Sequence, residues 1–127
     1  MNKKNIKPTK LIKKVSNLML DKKAIDITLI DVSKITTLTD HFIICTSDSG
    51  PQTKAITNHI VSNIHKKYNI KPVHSEGIES FEWVLLDYIN IVVNIFNKEK
   101  REYYNIERLW GDADIIDIKE SFINNEK

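Results

Sequence analysis

Apolar positions are densest between Glu76 and Gly111, where WVLLDY and IVVNIF form two runs of six residues on either side of Ile89 and Asn90. Short runs split by two residues predict adjacent strands joined by a tight turn. With Ile89 and Asn90 as that turn, Tyr88 lies opposite Ile91, Leu86 opposite Val93 and Val84 opposite Ile95. The other face pairs Asp87 with Val92, Leu85 with Asn94 and Trp83 with Phe96. The first face is uniformly apolar and is assigned to the core. The second mixes two large aromatics with a carboxylate and an amide. Such a face fits a protein-binding surface with a tryptophan at one end, and it equally fits a face covered by a helix. Ile-Asn is not a favoured hairpin pair, and a slip by one residue would exchange the two faces.

Upstream, Leu11, Ile12, Val15, Leu18 and Met19 recur at helical spacing after Pro8, which suits a first turn. AIDITLIDV is short and β-branched, predicting a strand, and SKITTLTD has the composition of a loop ending at Asp40. HFIICTS predicts a second strand, apolar enough at its centre to be covered on both faces. Ser47, Asp48 and Ser49, followed by Gly50 and Pro51, supply helix-start chemistry. The helix from about Gln52 to Lys67 puts Ile56, Ile60 and Ile64 on one stripe, with Lys54, Asn58 and His65 facing away. KPVHSEG is a weaker strand ended by Gly77, and the strand–helix–strand order fits a parallel crossover. After Phe96, Asn97 caps a short helix carrying Lys98, Lys100 and Arg101 beside Tyr103 and Tyr104, and NIERLWG adds a further turn ending at Gly111. The tail ADIIDIKESFINNEK is weakly patterned, so it is expected to fray or to lie along a neighbour. The whole chain, 1–127, is one domain in this reading, with 1–7 and about 115–127 as the frayed ends.

The search for catalytic chemistry yields little. His59 and His65 are six apart, off the spacing that shares a helix face, and His41 and His74 lack partners at ligand spacing. SDSGP lacks the frame of a nucleophile elbow, and three glycines cannot build a phosphate loop. The most serious idea is a two-metal nucleotidyl-transfer site. Ser49-Gly50 opens a helix after a strand, and acids stand at strand ends (Asp31, Asp40, Asp87) and at Asp112 and Asp114. That chemistry needs carboxylates on adjacent strands, whereas Asp112 and Asp114 are expected to follow a helix. No metal or cofactor is expected. Cys45 is the sole cysteine, which removes any internal disulfide, and it is expected as a small buried residue of its strand.

Composition narrows the class. With 41% hydrophobic and 28% charged residues and only three Gly and three Pro, the chain can bury a core and is not a disordered polymer. No apolar run approaches the roughly 18 residues of a membrane span. The basic start lacks a signal-type apolar block and an Arg- and Ser-rich leader, which favours a soluble protein of a bacterial cytoplasm. Net charge is only +2, but its distribution is uneven. Six lysines and no acid lie within Met1 to Lys14, while Asp112 to Glu120 holds four acids against one lysine. Two readings follow for the start: a minor contact with RNA phosphates, or the solvated face of a lysine-rich helix, the latter favoured.

In order and spacing, DITLIDV, TDHFIICTSDSGPQTKAI, EG, WVLLDYINIVVNIF and REYYNIERLWGDAD resemble the ribosomal silencing factor family, also called Iojap-related. The resemblance implies an α/β fold: a mixed β-sheet of about five strands flanked by helices, with a nucleotidyltransferase-like outline but without the catalytic acids. It implies a factor that is not an enzyme and that binds the large ribosomal subunit through its fourteenth protein. Binding there would block joining of the small subunit and lower translation under nutrient limitation. It also implies a homodimer when free. The mixed face, together with the family match at Trp83 and Asp87, points to Trp83, Asp87 and Tyr88, supported by Asn94, as the docking surface. The chain departs from the family at Ile89-Asn90, where Gly-Asp is usual, at Asn94, where His is usual, and at His41, where Tyr or Cys is commoner. Asn94 removes a titratable group and leaves an amide able to hydrogen-bond. The competing classes are a metal-dependent nucleotidyltransferase-like enzyme and a generic homodimeric interaction module.

Overall fold

The computed structural model describes residues 7–111 and 113–118. In chain order the elements are α1 (Pro8–Asp21), β1 (Ile25–Asp31), β2 (His41–Ser47), α2 (Gly50–Tyr68) and β3 (His74–Glu76). They continue with β4 (Trp83–Asp87), β5 (Ile91–Asn97), α3 (Lys98–Tyr104), α4 (Ile106–Leu109) and β6 (Asp114–Asp117). All six strands join one mixed sheet in the order β3-β4-β5-β2-β1-β6. Among the described strands only the central pair, β2 and β5, is parallel.

The expected sheet of about five strands gains a sixth at its edge. β6 is four residues long with every residue exposed, so it carries no alternating burial pattern, yet it runs antiparallel along β1. The expectations for 1–6 and 119–127 lie outside the described residues. The β2–α2–β3 crossover is parallel in direction, but β3 does not lie beside β2. It passes over β5 and β4 to reach the opposite edge, and β5 takes the place next to β2.

Helix chemistry follows the residues. Pro8 stands in the first turn of α1, and Ser49 caps α2 by accepting the Gln52 N–H at 3.1 Å. α2 ends at Asn69 in the left-handed conformation, with φ +58°. Leu11, Ile12, Val15, Leu18 and Met19 of α1 and Ile56, Ile60 and Ile64 of α2 are buried. They pack on Ile43, Val84, Leu86, Val93 and Ile95 of the sheet, forming the main core. Cys45 is buried there, and burial pushes its thiol pKa up to about 12, so the thiolate that reactivity requires is suppressed.

The hairpin has the register drawn from its pattern: Trp83 opposite Phe96, Val84 opposite Ile95, Leu86 opposite Val93 and Asp87 opposite Val92. The disfavoured Ile89-Asn90 turn forms nonetheless, with Ile89 at φ +75°. Several bonds hold it there. Tyr88 N–H donates to the Ile91 carbonyl at 2.8 Å, Asn90 N–H to the Tyr88 carbonyl at 3.0 Å, and Ile89 N–H to Asp87 Oδ1 at 2.8 Å. The Asn90 carbonyl also accepts from the Asp40 and His41 N–H groups, tying the turn to the start of β2.

Candidate docking face

Period-two alternation sends Trp83, Leu85 and Asp87 of β4 and Val92, Asn94 and Phe96 of β5 to the side of the sheet away from α1 and α2. On that side a second, smaller cluster gathers Ile30, Val32, Ile44, Phe96 and Ile106, with Phe42, Trp83 and Trp110 packed against it. Among the described residues, α3 and α4, seven and four residues long, are the helices that cover this face. Leu85 and Asp87 stay half-buried as a result.

Trp83 is fixed rather than merely placed. Its ring stacks on Phe96 at 4.7 Å between centroids, with 22° between planes, and Tyr104 of α3 meets it at 4.7 Å and 44°. Its indole Nε1–H donates to Asn94 Oδ1 at 2.9 Å. Asn94 is only 2% exposed, so this bond satisfies a buried amide oxygen as well as orienting the ring. Gly77 closes the arrangement from behind at φ +80°. A Cβ there would stand 1.8 Å from the Trp83 carbonyl oxygen, so only glycine lets the preceding loop lie this close.

Asp87 does two things at once. One carboxylate oxygen holds the Ile89 N–H and so the turn, and the other has no partner among the described residues. Beside it runs the polar edge of β3, where His74 lies opposite Asp87 and Glu76 opposite Leu85, with His74 and Glu76 paired at 3.5 Å. An aromatic anchor, aliphatic neighbours and a charged rim are the elements of a protein-docking patch.

The structure separates Tyr88 from the other three expected site residues. Tyr88 lies on the helix-covered face, 6% exposed, and its buried hydroxyl has no partner among the described residues. Desolvation drives its pKa well above the usual phenol range. Trp83, Asp87 and Asn94 do come together on the open face.

The sequence pattern did not reveal the partners of this face. Phe42 joins it through the parallel β2–β5 ladder, facing Val92, and packs edge-on against Trp110 at 5.3 Å. Arg101 fastens α3 to the sheet. Its guanidinium donates to the Asp26 carbonyl and, at 2.8 and 2.9 Å, to Thr46 Oγ1 and Thr28 Oγ1. It also pairs with Glu107 at 2.9 Å. Its side chain is 12% exposed, and every one of these partners is distant in sequence or follows it, so a lysine- and arginine-bearing segment gave no hint of the anchor.

The acids of the nucleotidyl-transfer idea are differently arranged than expected. Asp114 does sit in a strand, at the start of β6 and directly opposite Asp31. Asp31 is engaged locally, its Oδ1 accepting from Ser33 N–H at 3.0 Å and Ser33 Oγ–H at 2.6 Å. Asp112 lies outside the described residues. Among the described residues no three His, Cys, Asp or Glu side chains converge as a metal site.

These features define an α/β protein built on one six-stranded mixed sheet, with a half-open aromatic face as its candidate site. The family described as ribosomal silencing factor during starvation matches residues 5–127, and the chain belongs to that family. Ribosomal silencing factor RsfS of Bacillus subtilis is 39% identical over 98 residues, spanning 77% of this chain and 82% of that protein. The chloroplastic protein Iojap of Arabidopsis thaliana is 34% identical over 98 residues, 77% of this chain but 40% of that longer protein. A crystal structure of a Chromobacterium violaceum protein superposes with a TM-score of 0.79 at 38% identity, covering 84% of this chain and 88% of that one. A six-stranded mixed sheet flanked by helices is therefore this chain's fold, shared with its relatives.

Proposed function

We propose that the chain silences translation by docking its open sheet face on the large ribosomal subunit, at the fourteenth protein of that subunit. Bound there, it blocks joining of the small subunit by occupying the joining surface, without catalysing a reaction. The observation that carries the reading is the state of Trp83: a large aromatic fixed by Phe96, Tyr104 and Asn94, yet left partly exposed beside Leu85 and Asp87. A preordered aromatic loses little side-chain entropy on binding, the property of an interface anchor. Asp87 offers its unpartnered oxygen to a cation or N–H donor of the partner. Asn94 acts through Trp83, and Tyr88 supports the hairpin from the core side. Membership of the silencing-factor family supports the ribosome as partner. A cytoplasmic setting and a homodimeric free form complete the proposal.

The test is co-sedimentation with separated ribosomal subunits, followed by a subunit-joining assay. The reading expects the protein to pellet with large subunits alone and to lower the yield of joined ribosomes in proportion to occupancy. Self-association without large-subunit binding would instead identify a generic dimeric module. Heat of binding with magnesium and a nucleotide would return the enzyme class to consideration.

A further inference from the structure

The lysines of α1 do not simply face solvent. α1 and α2 pack side by side over the sheet, and between them lies a cleft of about 610 Å³. Lys10, Lys13 and Lys14 line it from α1, and Lys67 and Tyr68 close it from the last turn of α2. Lys7 stands at its mouth, just before α1. Among the described residues the one acid in the lining, Asp21, is already engaged by His59 Nε2 at 3.0 Å. Among the described lining residues, five lysines stand beside this one carboxylate. Lys10, Lys14 and Lys67 make no ion pair with a described acid. Asn17 and Thr9 add neutral hydrogen-bonding groups along the same wall.

This concentration is a consequence of the fold rather than of the N-terminal sequence alone. The lysines of α1 lie on the side of the helix left over when Leu11, Val15, Leu18 and Met19 turn to the core. The Lys67 charge comes from a residue more than fifty positions away, at the C-terminal end of α2, where the helix dipole favours cations. Tyr68 adds a half-buried aromatic ring at the cleft edge, with Lys67 Nζ 5.7 Å from its centroid. A basic groove with an aromatic at its edge is the arrangement that tracks a nucleic-acid backbone and stacks a base. The groove belongs to the helical layer, on the side of the sheet away from Trp83.

We propose that the α1–α2 groove binds a segment of single-stranded RNA through its phosphates, as a second contact surface independent of the aromatic face. Charge complementarity selects the ligand: with Lys7, Lys10, Lys14 and Lys67 lining the cleft, several consecutive phosphates are neutralised together. The inference goes beyond the docking proposal and does not depend on it.

The experiment is fluorescence anisotropy with an oligouridylate of about 20 nucleotides, titrated at several salt concentrations. Three proteins are compared: the full chain, a groove variant (Lys10→Gln, Lys14→Gln, Lys67→Gln) and a control variant of equal charge (Lys34→Gln, Lys54→Gln, Lys98→Gln). Circular dichroism checks that each is folded. The proposal expects the groove variant to lose at least about tenfold in affinity, and its salt slope to fall by about 2, at roughly 0.7 for each phosphate no longer neutralised. The control variant should keep both. Trp83→Ala should also bind the oligonucleotide as the full chain does, which separates this groove from the docking face. Equal losses in the two lysine variants would mean that net charge alone draws the RNA, and would overturn the proposal. So would an absence of binding at low salt.

Discussion

The two faces of the sheet are made by the same strands and differ in everything else. On one, Val84, Leu86, Ile91, Val93 and Ile95 are completely buried beneath helices of 14 and 19 residues. On the other, one position along each strand, Trp83, Leu85 and Asp87 look out past two short helices. The first face is held by area removed from water. The second is held by directed contacts: a ring stack, an indole-to-amide hydrogen bond, and an arginine fastening the helix that carries Tyr104. A face needing only coverage has no use for a tryptophan bonded to a buried asparagine. That combination keeps a large ring rigid while part of it remains available, which is why the difference between the faces bears on function.

The comparison is broken most severely by core truncation. Ile95→Ala is expected to lower unfolding free energy by about 2–5 kcal/mol, since it opens a cavity in a fully buried site. Leu85→Ala, its counterpart on the open face, should cost under about 1.5 kcal/mol because less area is lost. Urea unfolding of both variants measures the gap, and equal losses would erase the distinction between the faces. Arg101→Ala comes next, at about 2–3 kcal/mol, because it strips Thr28, Thr46 and Glu107 of their shared donor. Here the tryptophan emission should shift to the red as α3 loosens from Trp83.

Smaller effects sharpen the picture at the edges. Ile89→Gly should stabilise the chain by about 1 kcal/mol, since a β-branched residue at φ +75° is strained and glycine is not. A loss of stability in thermal unfolding would show that the Ile89 side chain makes up for its backbone. The smallest effect concerns acid. Hydrogen bonds from Ser33 hold the Asp31 carboxyl below its ordinary pKa of 3.8. A depressed folded pKa adds stability that is complete above the unfolded value and is lost as pH falls through the folded one. Asp31→Asn should therefore reduce stability slightly at neutral pH and flatten the decline below about pH 4. An unchanged acid limb would contradict that assignment.

Much of this was legible in the sequence, for identifiable reasons. The hairpin register followed from taking Ile89 and Asn90 as a two-residue turn, a choice that buries Leu86 and leaves Asp87 half-buried. The α1 and α2 stripes followed from helical spacing. β6 was not legible as a strand, since four exposed residues leave no pattern. The neighbour of β2 was hidden because parallel pairing with β5 depends on packing over some fifty residues of chain. That Trp83, Asp87 and Asn94 share one face was legible from the same register. The Arg101 anchor and the Phe42–Trp110 contact were not, because they join elements that periodicity treats separately.

The central claim is that the open face, anchored by Trp83, docks on the large ribosomal subunit. The most direct measurement is the affinity of folded Trp83→Ala for purified large subunits beside that of the unaltered chain. Truncating an interface anchor costs about 2 kcal/mol or more, so affinity is expected to fall about 30-fold or further. A Trp83→Ala protein that is folded and binds large subunits as tightly as the unaltered chain would contradict the account.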